Sequence, residues 1–563
     1  MTDAQRPYRP WYERYPKRFE EECAGMEARG FTLNSEALRR DKRVVFDGVS
    51  HADDRHHLQV VYPGTFPSGA PRVLDNGGVV LRRHHRPDSK ELCLFGPLQG
   101  RWTAIQNGTA AIDEAEDVIG VFSGDSPVRD DDVPEPVTNY YTYVPDAAII
   151  VPPSLATPDL ADDMSVTIGR FSIRFTSQAL SGVTSPFPGR GVVVQTTLLG
   201  VKAEAASYYK SRWGTQATQT GSLVVLQEPP PYIRNVGELN AWLQRLSVPQ
   251  REWREWMAFV FPEQTTTATQ QRLAWLVVHK GRRGELHVFR TFALRNDEWT
   301  ARIPGMDGLA TKEIVFIGCG SIGSKIAVAL AATGVARFTL IDPDFMEPYN
   351  AVRHEIGVDQ FGALKVAVLG GRLVDMNPNA AEEIKPIAGQ IDGDNPLAVE
   401  EAIYDALASA DLVVDTTGVH AVSRFINDLC DDLKVPSLYV SVTDGAWGGE
   451  VVRVIPGETA CWNCWYVQFE DDRLPAALIP DIGFFAPGCD QPTFTGTTYD
   501  IGIVANLAAR MAVETLLRAM LDRHNFQGDY IRWSARNPDG TPCLNAEVKD
   551  VQRRPRCPFC GST

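Results

Sequence analysis

No apolar run in this sequence is long enough to cross a membrane. The first residues, 1–22, are dotted with charge and hold no apolar signal core. We therefore expect a cytoplasmic protein with no membrane partner. Concentrated basic stretches are missing too. Lys and Arg total 55 against 71 Asp and Glu, for a formal charge of −16. That balance argues against a nucleic-acid partner. Ten cysteines in 563 residues are too few for a disulfide scaffold. In a cytosolic chain they read as metal ligands or reactive thiols. What is present is ordinary for globular protein, 44% apolar and 22% charged, and the length suits about three domains.

The most informative stretch is 312–343, KEIVFIGCGSIGSKIAVALAATGVARFTLIDP. Ile314–Ile317 suits a buried parallel strand. Gly318, Gly320 and Gly323 follow at G-x-G-x-x-G spacing. Ser324–Ala332 has helical composition, Gly334 ends it, and Phe338–Ile341 reads as the next strand. Asp342 falls near the roughly 20-residue offset of a ribose-binding acid. The glycines permit a tight turn and close approach to phosphate, and the helix N-terminus offers N–H groups to an anion. Alone, this pattern does not separate NAD, FAD and ATP.

Taken in order, the chain begins with a surface helix expected from Trp11 to about Met26. Strand-like RVVFDGV, LQVVYP and VVLRRHH follow, then a helix around Ala110–Phe122. Between the second and third strand-like runs lies Tyr62-Pro63-Gly64-Thr65-Phe66-Pro67-Ser68-Gly69-Ala70-Pro71, whose prolines force an extended, turning path. Glu91-Leu92-Cys93-Leu94-Phe95 and Trp102 come next. By itself Cys93, between leucines, reads as a buried small hydrophobe.

Roughly residues 12–122 resemble the ubiquitin-conjugating fold, on the proline-rich turn, the His-containing stretch, the Cys-Leu pair and the Trp. The resemblance makes Cys93 a thioester-carrying nucleophile. The family's H-P-N tripeptide is absent. His84-His85-Arg86-Pro87-Asp88 stands there, leaving His84, His85 or Asp88 to assist. Ser123–Val137, rich in Pro and Asp, marks a linker.

Residues 138–300 read as an α+β connector. MSVTIGRFSIRF, GVVVQTTLLGV and GSLVVLQ suggest strands, Val236–Leu246 and Gln250–Met257 suggest helices, and LAWLVVHK with ELHVFRTFAL suggests a terminal strand pair. We find no metal spacing or catalytic cluster there. His279 and His287 read as ordinary strand residues.

After Asp342 come Asp344, then Asn350-Ala351-Val352-Arg353, Gly362-Ala363-Leu364-Lys365 and Met376-Asn377-Pro378. In that order the motifs resemble the ThiF/MoeB and ubiquitin-activating superfamily through nearly all of 305–563. The resemblance implies ATP, and a reaction joining a protein's C-terminal carboxylate to AMP. Preorganised donors must then stabilise phosphate charge. Gly320, Ser321 and Gly323 supply N–H groups, Arg353 and Lys365 positive charge, and Asn350 a neutral donor. Asp342 suits the ribose, and Asp344 the ribose or a metal. The usual D-C-x-D-N is replaced by Asp415-Thr416-Thr417-Gly418. Asp415 and Asp344 are thus the candidates for Mg²⁺. Arg295 and Arg302 are candidates for an arginine lent to a partner subunit, since the resemblance implies a homodimer.

Cys461-Trp462-Asn463-Cys464 and Cys557-Pro558-Phe559-Cys560 are two C-x-x-C pairs. Each alone reads as a redox motif; together they offer four thiolates for a structural Zn²⁺. Cys489, in a proline-broken loop before the helix expected at Ile501–Met520, stands where the superfamily carries its catalytic cysteine. A thiolate there would displace AMP to form a thioester.

The whole is expected to be α/β: a conjugating-like α+β domain at 1–122, a linker at 123–137, the α+β connector at 138–300 and a Rossmann-like adenylation domain at 301–563. The combination is similar to bacterial fused activating–conjugating enzymes of antiphage and ubiquitin-like operons. It implies adenylation, a thioester on Cys489, transfer to Cys93 and attack by a target amine. The passenger would be a ubiquitin-like protein or a nucleotidyltransferase supplied in trans. Two other readings stand beside it: a sulfur-carrier adenylyltransferase with a non-catalytic N-terminal half, and a nucleotide-binding adaptor.

Overall fold

The computed structural model describes residues 9–561 apart from 78–83, 88, 96–101, 123–133, 146, 159–165, 177–189, 214–216, 266–270, 296–302, 304, 382, 392–394, 471–473, 477–494 and 519–527. Contacts divide the chain into two compact units, Met1–Ala293 and Leu294–Thr563.

The first unit opens with two helices rather than one, Trp11–Arg14 and Pro16–Ala28. Pro16 is tolerated only in a first helical turn, where its missing N–H costs nothing. The expected surface helix is buried along one side, with Trp11 and Met26 in the core. Strands β1 (Thr32–Leu33), β2 (Val45–Val49), β3 (His57–Val61) and β4 (Arg72–Asp75) form an antiparallel sheet in sequence order. Helix Thr109–Phe122 covers it with Ala111, Ile112, Ala115 and Ile119, a one-sided helical stripe. The proline-rich turn is pinned where Trp102 Nε1 donates to the Pro67 carbonyl at 2.8 Å. Glu22 is buried but satisfied, accepting from Tyr62 Oη and the Gly108 N–H at 2.6 Å each. Residues 79–83 of the expected VVLRRHH strand lie outside the described residues. Among the described residues the fourth strand is β4, directly after Pro71, whose four residues carry too little pattern to announce themselves.

The same unit holds a second sheet: β5 (Ala148–Val151), β6 (Val166–Phe175), β7 (Arg190–Leu198), β8 (Val201–Glu204), β9 (Gln219–Leu226), β10 (Trp256–Gln264), β11 (Gln271–Lys280) and β12 (Leu286–Ala293). Its order is β5-β12-β11-β10-β9-β6-β7-β8, and β5 also pairs with β7. Seven strands therefore close into a ring, with β8 appended. The expected β11–β12 pair is present, but β11 is interior to the sheet. Gln250–Met257 is not helical. One 3-10 turn, Gln250–Glu252, precedes β10, whose Trp256–Phe261 run is wholly buried between β9 and β11. The helical reading of 250–257 lost to tertiary pairing. His279 and His287 face each other across β11 and β12, and His279 Nε2 lies 2.8 Å from Glu255 Oε1.

The second unit contains β13 (Glu313–Ile317), β14 (Arg337–Ile341), β15 (Ile384–Ile387), β16 (Leu412–Asp415), β17 (Ser437–Val442), β18 (Gly448–Val454), β19 (Tyr530–Arg536) and β20 (Pro542–Lys549), in the order β15-β14-β13-β16-β17-β18-β19-β20. The first five are parallel and the last three antiparallel. Helices Ser321–Ala332, Lys365–Met376 and Thr498–Leu516 cover one face, and Leu397–Ser409, His420–Leu433 and Trp462–Phe469 the other. β13 is buried along its whole length, as a central parallel strand must be. Phe316 and Phe338 are fully buried against the first helix layer, each contributing about 1.5–3 kcal/mol.

Candidate active site

Strand order reverses between β13 and β16, so the crevice at their C-terminal ends is where an open α/β sheet takes a ligand. The glycine pattern lies there. Gly318 has φ +88°, open to glycine at no cost. A Cβ on Gly323 would sit 2.2 Å from the Gly318 carbonyl oxygen, so only glycine lets the helix start this close to the strand. Gly320 is the N-cap of helix Ser321–Ala332, leaving the first N–H groups of the helix without partners inside it.

The turn between these glycines is held at both ends of one residue. The Cys319 N–H donates to Asp342 Oδ2 at 2.7 Å, and the Cys319 carbonyl accepts from His354 Nε2 at 2.7 Å. His354 Nδ1 in turn accepts from the Ile356 N–H at 3.2 Å, which fixes the neutral Nε2–H tautomer. Burial pushes the His354 pKa down. Thr416 Oγ1 donates to the Gly318 carbonyl at 2.7 Å.

A cleft of about 850 Å³ opens beside the turn, lined by Gly318, Gly320, Asp342, Asp344, Lys365 and Thr416 among others. Asp342 is buried, and burial pushes its pKa up while Lys365 works against that. Its other oxygen accepts from the Asp344 N–H at 2.8 Å. Lys365 Nζ meets Asp344 Oδ2 at 2.8 Å; the Lys365 side chain is 12% exposed and that of Asp344 61%. A screened pair of this kind contributes little stability, so its placement matters more than its energy. The far wall is apolar, with Ile391, Ile403, Val422 and the half-exposed ring of Phe425.

The remaining predicted residues divide. Asn350 and Arg353 share the loop that carries His354. Asn350 Oδ1 accepts from the Glu347 N–H at 3.0 Å, capping its own short turn, and Arg353 is half-buried. Neither lines the cleft. Asp415 is buried, its oxygens accepting from the Thr417 N–H at 2.9 Å and from Ser423 Oγ at 2.6 Å. It, too, is not among the cleft's lining residues. Gly418 has φ +67°, a conformation that disfavours the acid expected there. A second cleft, of about 680 Å³, adjoins the first at Gly320, Thr416 and Thr417; it includes Ser321 and is walled by Trp465, Tyr466 and Phe469. Arg302 and Cys489 lie outside the described residues.

His354, Thr416 and Phe425 were not anticipated. His354 directly follows Arg353, and Thr416 directly follows Asp415. Their positions carried the only signal, since neither side chain advertises a partner in sequence.

The two C-x-x-C pairs converge. The sulfurs of Cys461, Cys464, Cys557 and Cys560 all lie within 4.8 Å of one another, with Cys461–Cys557 at 3.4 Å and Cys464–Cys560 at 3.5 Å. A ZnS₄ tetrahedron with bonds of about 2.3 Å has sulfur–sulfur edges of about 3.8 Å, so the set fits that ion. The Arg554 N–H points at Cys464 Sγ at 3.4 Å, as a bond stabilising a metal thiolate would.

Cys93 is exposed, while Leu92 and Leu94 beside it are buried. Its N–H donates to the His84 carbonyl at 2.8 Å. Burial around the sulfur, then the charge of Glu135, raise its pKa, and Arg86 opposes them. His85 is buried and Asp88 lies outside the described residues.

Residues 298–559 match the ThiF family, and the second unit is a ThiF/MoeB-type adenylation domain. The relatives span different parts of the chain. An uncharacterized protein of Sinorhizobium fredii, y4oA, is 24% identical over 564 residues, covering 92% of this chain and 92% of that protein. The ATP-dependent ubiquitin transferase-like protein Cap2 of Vibrio cholerae is 28% identical over 233 residues, 38% of this chain and 36% of Cap2. The sulfur carrier protein ThiS adenylyltransferase of Escherichia coli is 29% identical over 173 residues, 30% of this chain and 65% of that protein. No helix among the described residues is long and apolar enough to cross a membrane.

Proposed function

We propose that the second unit activates the C-terminal carboxylate of another protein with ATP, and that the chain then carries the acyl group on Cys489 and on Cys93 to a target amine. The observation that supports this best is the clamped turn at Cys319 opening onto Lys365 and Asp344 in a cleft of nucleotide size. The turn and the start of helix Ser321–Ala332 present N–H donors to the phosphates. Lys365 meets the charge that builds on the α-phosphate oxygens as the carboxylate attacks and pyrophosphate leaves. The apolar wall with Phe425 receives the base. Asp342 faces the ribose and fixes the turn. Among the predicted acids, Asp344 is the exposed one on the cleft, and it would hold Mg²⁺ with the phosphates. Asp415 instead holds the β16 turn. Arg353 acts from the loop that His354 anchors. The four clustered thiols hold a structural Zn²⁺ that ties the C-terminal segment to helix Trp462–Phe469.

The carboxylate enters through the second cleft, which meets the first at Gly320. Cys489 displaces AMP, and Cys93 receives the acyl group by thiol exchange. The passenger is a ubiquitin-like protein or a nucleotidyltransferase supplied in trans, and two copies of the chain pair through their adenylation domains. The setting is a bacterial conjugation pathway of the antiphage or ubiquitin-like kind. The likeness to Cap2, an ATP-dependent ubiquitin transferase-like protein, supports this reading.

Pyrophosphate exchange into ATP, stimulated by the protein encoded beside this one, tests the first step. A sulfur-carrier adenylyltransferase would exchange and form all its product with Cys93→Ala. An adaptor would bind ATP without exchange.

A further inference from the structure

We propose that Glu135, from the segment preceding the seven-strand ring, is the proton acceptor and anchor of the Cys93 site. The inference rests on the reading of Cys93 as an acyl carrier and names the group that serves its second half-reaction.

Three of the eight non-glycine residues at positive φ among the described residues, His84, Lys90 and Phe95, fall within twelve positions around Cys93. Left-handed backbone at such residues persists only where its surroundings over-determine it, and such strain gathers at functional sites. His84, at φ +59°, is held from both sides. Its carbonyl accepts the Cys93 N–H at 2.8 Å. Its own N–H points between the two oxygens of Glu135, 2.8 Å from each. Its Nδ1 lies 3.4 Å from Glu135 Oε1, and its ring packs on Phe122 at 4.7 Å.

Glu135 is itself fixed from the ring. Its N–H donates to Gln264 Oε1 of β10 at 2.6 Å. Three residues on, the Thr138 N–H and hydroxyl both bond the buried Glu263 of the same strand, at 2.9 and 2.7 Å. A carboxylate reaches the thiol loop from outside the four-stranded sheet, on a segment hydrogen-bonded to β10. His84 links the two groups, its N–H on Glu135 and its carbonyl on the Cys93 N–H, and the charge of Glu135 is the second cause, after burial, of the raised Cys93 pKa. This gives the ring of strands a part in the chemistry, which its sequence did not suggest.

In the step, the nitrogen of a target amine bonds to the thioester carbonyl carbon while its proton passes to a Glu135 oxygen. The carbon–sulfur bond then breaks, and the Cys93 thiolate recovers that proton. An amide and a free thiol result, and Glu135 returns to its starting state. General-base help of this kind is worth roughly 10²–10⁴-fold to a poor nucleophile.

The test uses the full chain with Cys489→Ser, acylated on Cys93 by exchange with the N-acetylglycyl thioester of mercaptoethanesulfonate. Discharge is followed by intact mass with free lysine and, separately, with hydroxylamine, which needs no protein base. Glu135→Gln keeps an oxygen for the His84 N–H. It should slow discharge to lysine at least about 10-fold and flatten its rise with pH, while discharge to hydroxylamine holds. Glu135→Asp should recover part of the lysine rate. Equal slowing of both nucleophiles would make Glu135 a purely structural residue and overturn the proposal, as would no slowing of either. Failure of Cys93 to take the acyl group at all would instead overturn its role as a carrier.

Discussion

His354 Nε2 donates to the carbonyl of Cys319 at 2.7 Å, and that bond holds one side of the glycine turn. With Asp342 holding the N–H of the same residue, one peptide segment is clamped at both ends by the protein's own side chains. Donors fixed in advance need not reorganise when charge develops, which is the main source of their catalytic value.

The clamp predicts a pH dependence. Burial holds the His354 pKa below its unfolded value of about 6.5. Lys325, Lys365 and Glu355 face it, and the two lysines outnumber the one acid. The folded state therefore binds fewer protons, so its stabilising contribution is complete above about pH 6.5 and is lost as pH falls from there through the folded pKa. A protonated ring would also turn Nδ1 into a donor against the Ile356 N–H. ATP affinity by calorimetry should be level from pH 8 down to about 6.5 and fall only at lower pH, where the ring protonates in the folded state. His354→Gln should remove much of that fall, and His354→Ala should cost about 1–3 kcal/mol of stability.

Lys365→Ala should lower pyrophosphate exchange by about 10²–10³-fold, the usual penalty for losing a donor aimed at developing charge. Asp344→Asn should raise the Mg²⁺ concentration needed for half-maximal exchange. Asp415→Asn should instead lower Tm, because Ser423 and Thr417 lose one of the two carboxyl oxygens that accept from them. Mg²⁺ titrations of the two variants, side by side, separate a cleft carboxylate from a turn-holding one.

Gly323→Ala forces a Cβ to within 2.2 Å of the Gly318 oxygen. The helix must shift, at about 1–3 kcal/mol, and ATP binding should be lost before the fold is. Circular dichroism with an ATP titration checks both.

Metal analysis should find one zinc per chain. Cys557→Ser or Cys464→Ser should release it and lower Tm by several degrees, since either leaves three of the four clustered thiols. Prolonged chelation should do the same to the wild type.

Cys93 should alkylate slowly at pH 7.5, because burial first and Glu135 second hold its pKa above that of a free thiol. Glu135→Gln removes one cause, so iodoacetamide should react faster with that variant. Peptide mapping of the labelled chain reads the effect.

Much of the adenylation domain was legible because its chemistry is local. Gly318, Gly320, Gly323 and Asp342 lie in one strand–turn–helix–strand unit, and the two cysteine pairs, taken together, offer four candidate ligands. What stayed hidden depends on crossovers. His354 and Cys319 meet only because the loop after β14 folds back on the turn, and Phe425 reaches the cleft from a helix after β16. Asp415 read as a metal candidate because sequence does not show that Ser423 occupies it. In the first unit, β10 begins at Trp256, inside the 250–257 run that reads as helical in sequence. The closing pair of β5 with β7 carries no sequence mark at all.

The central claim is that an acyl group is made with ATP and held on two thiols. It is tested most directly by incubating the full chain with Mg·ATP and the protein encoded beside it, then reading intact mass with and without a reducing thiol. The account predicts thiol-sensitive adducts on Cys489 and Cys93, none with Cys489→Ala, and the Cys489 adduct alone with Cys93→Ala. ATP turnover with no thiol-sensitive adduct on either cysteine would contradict it.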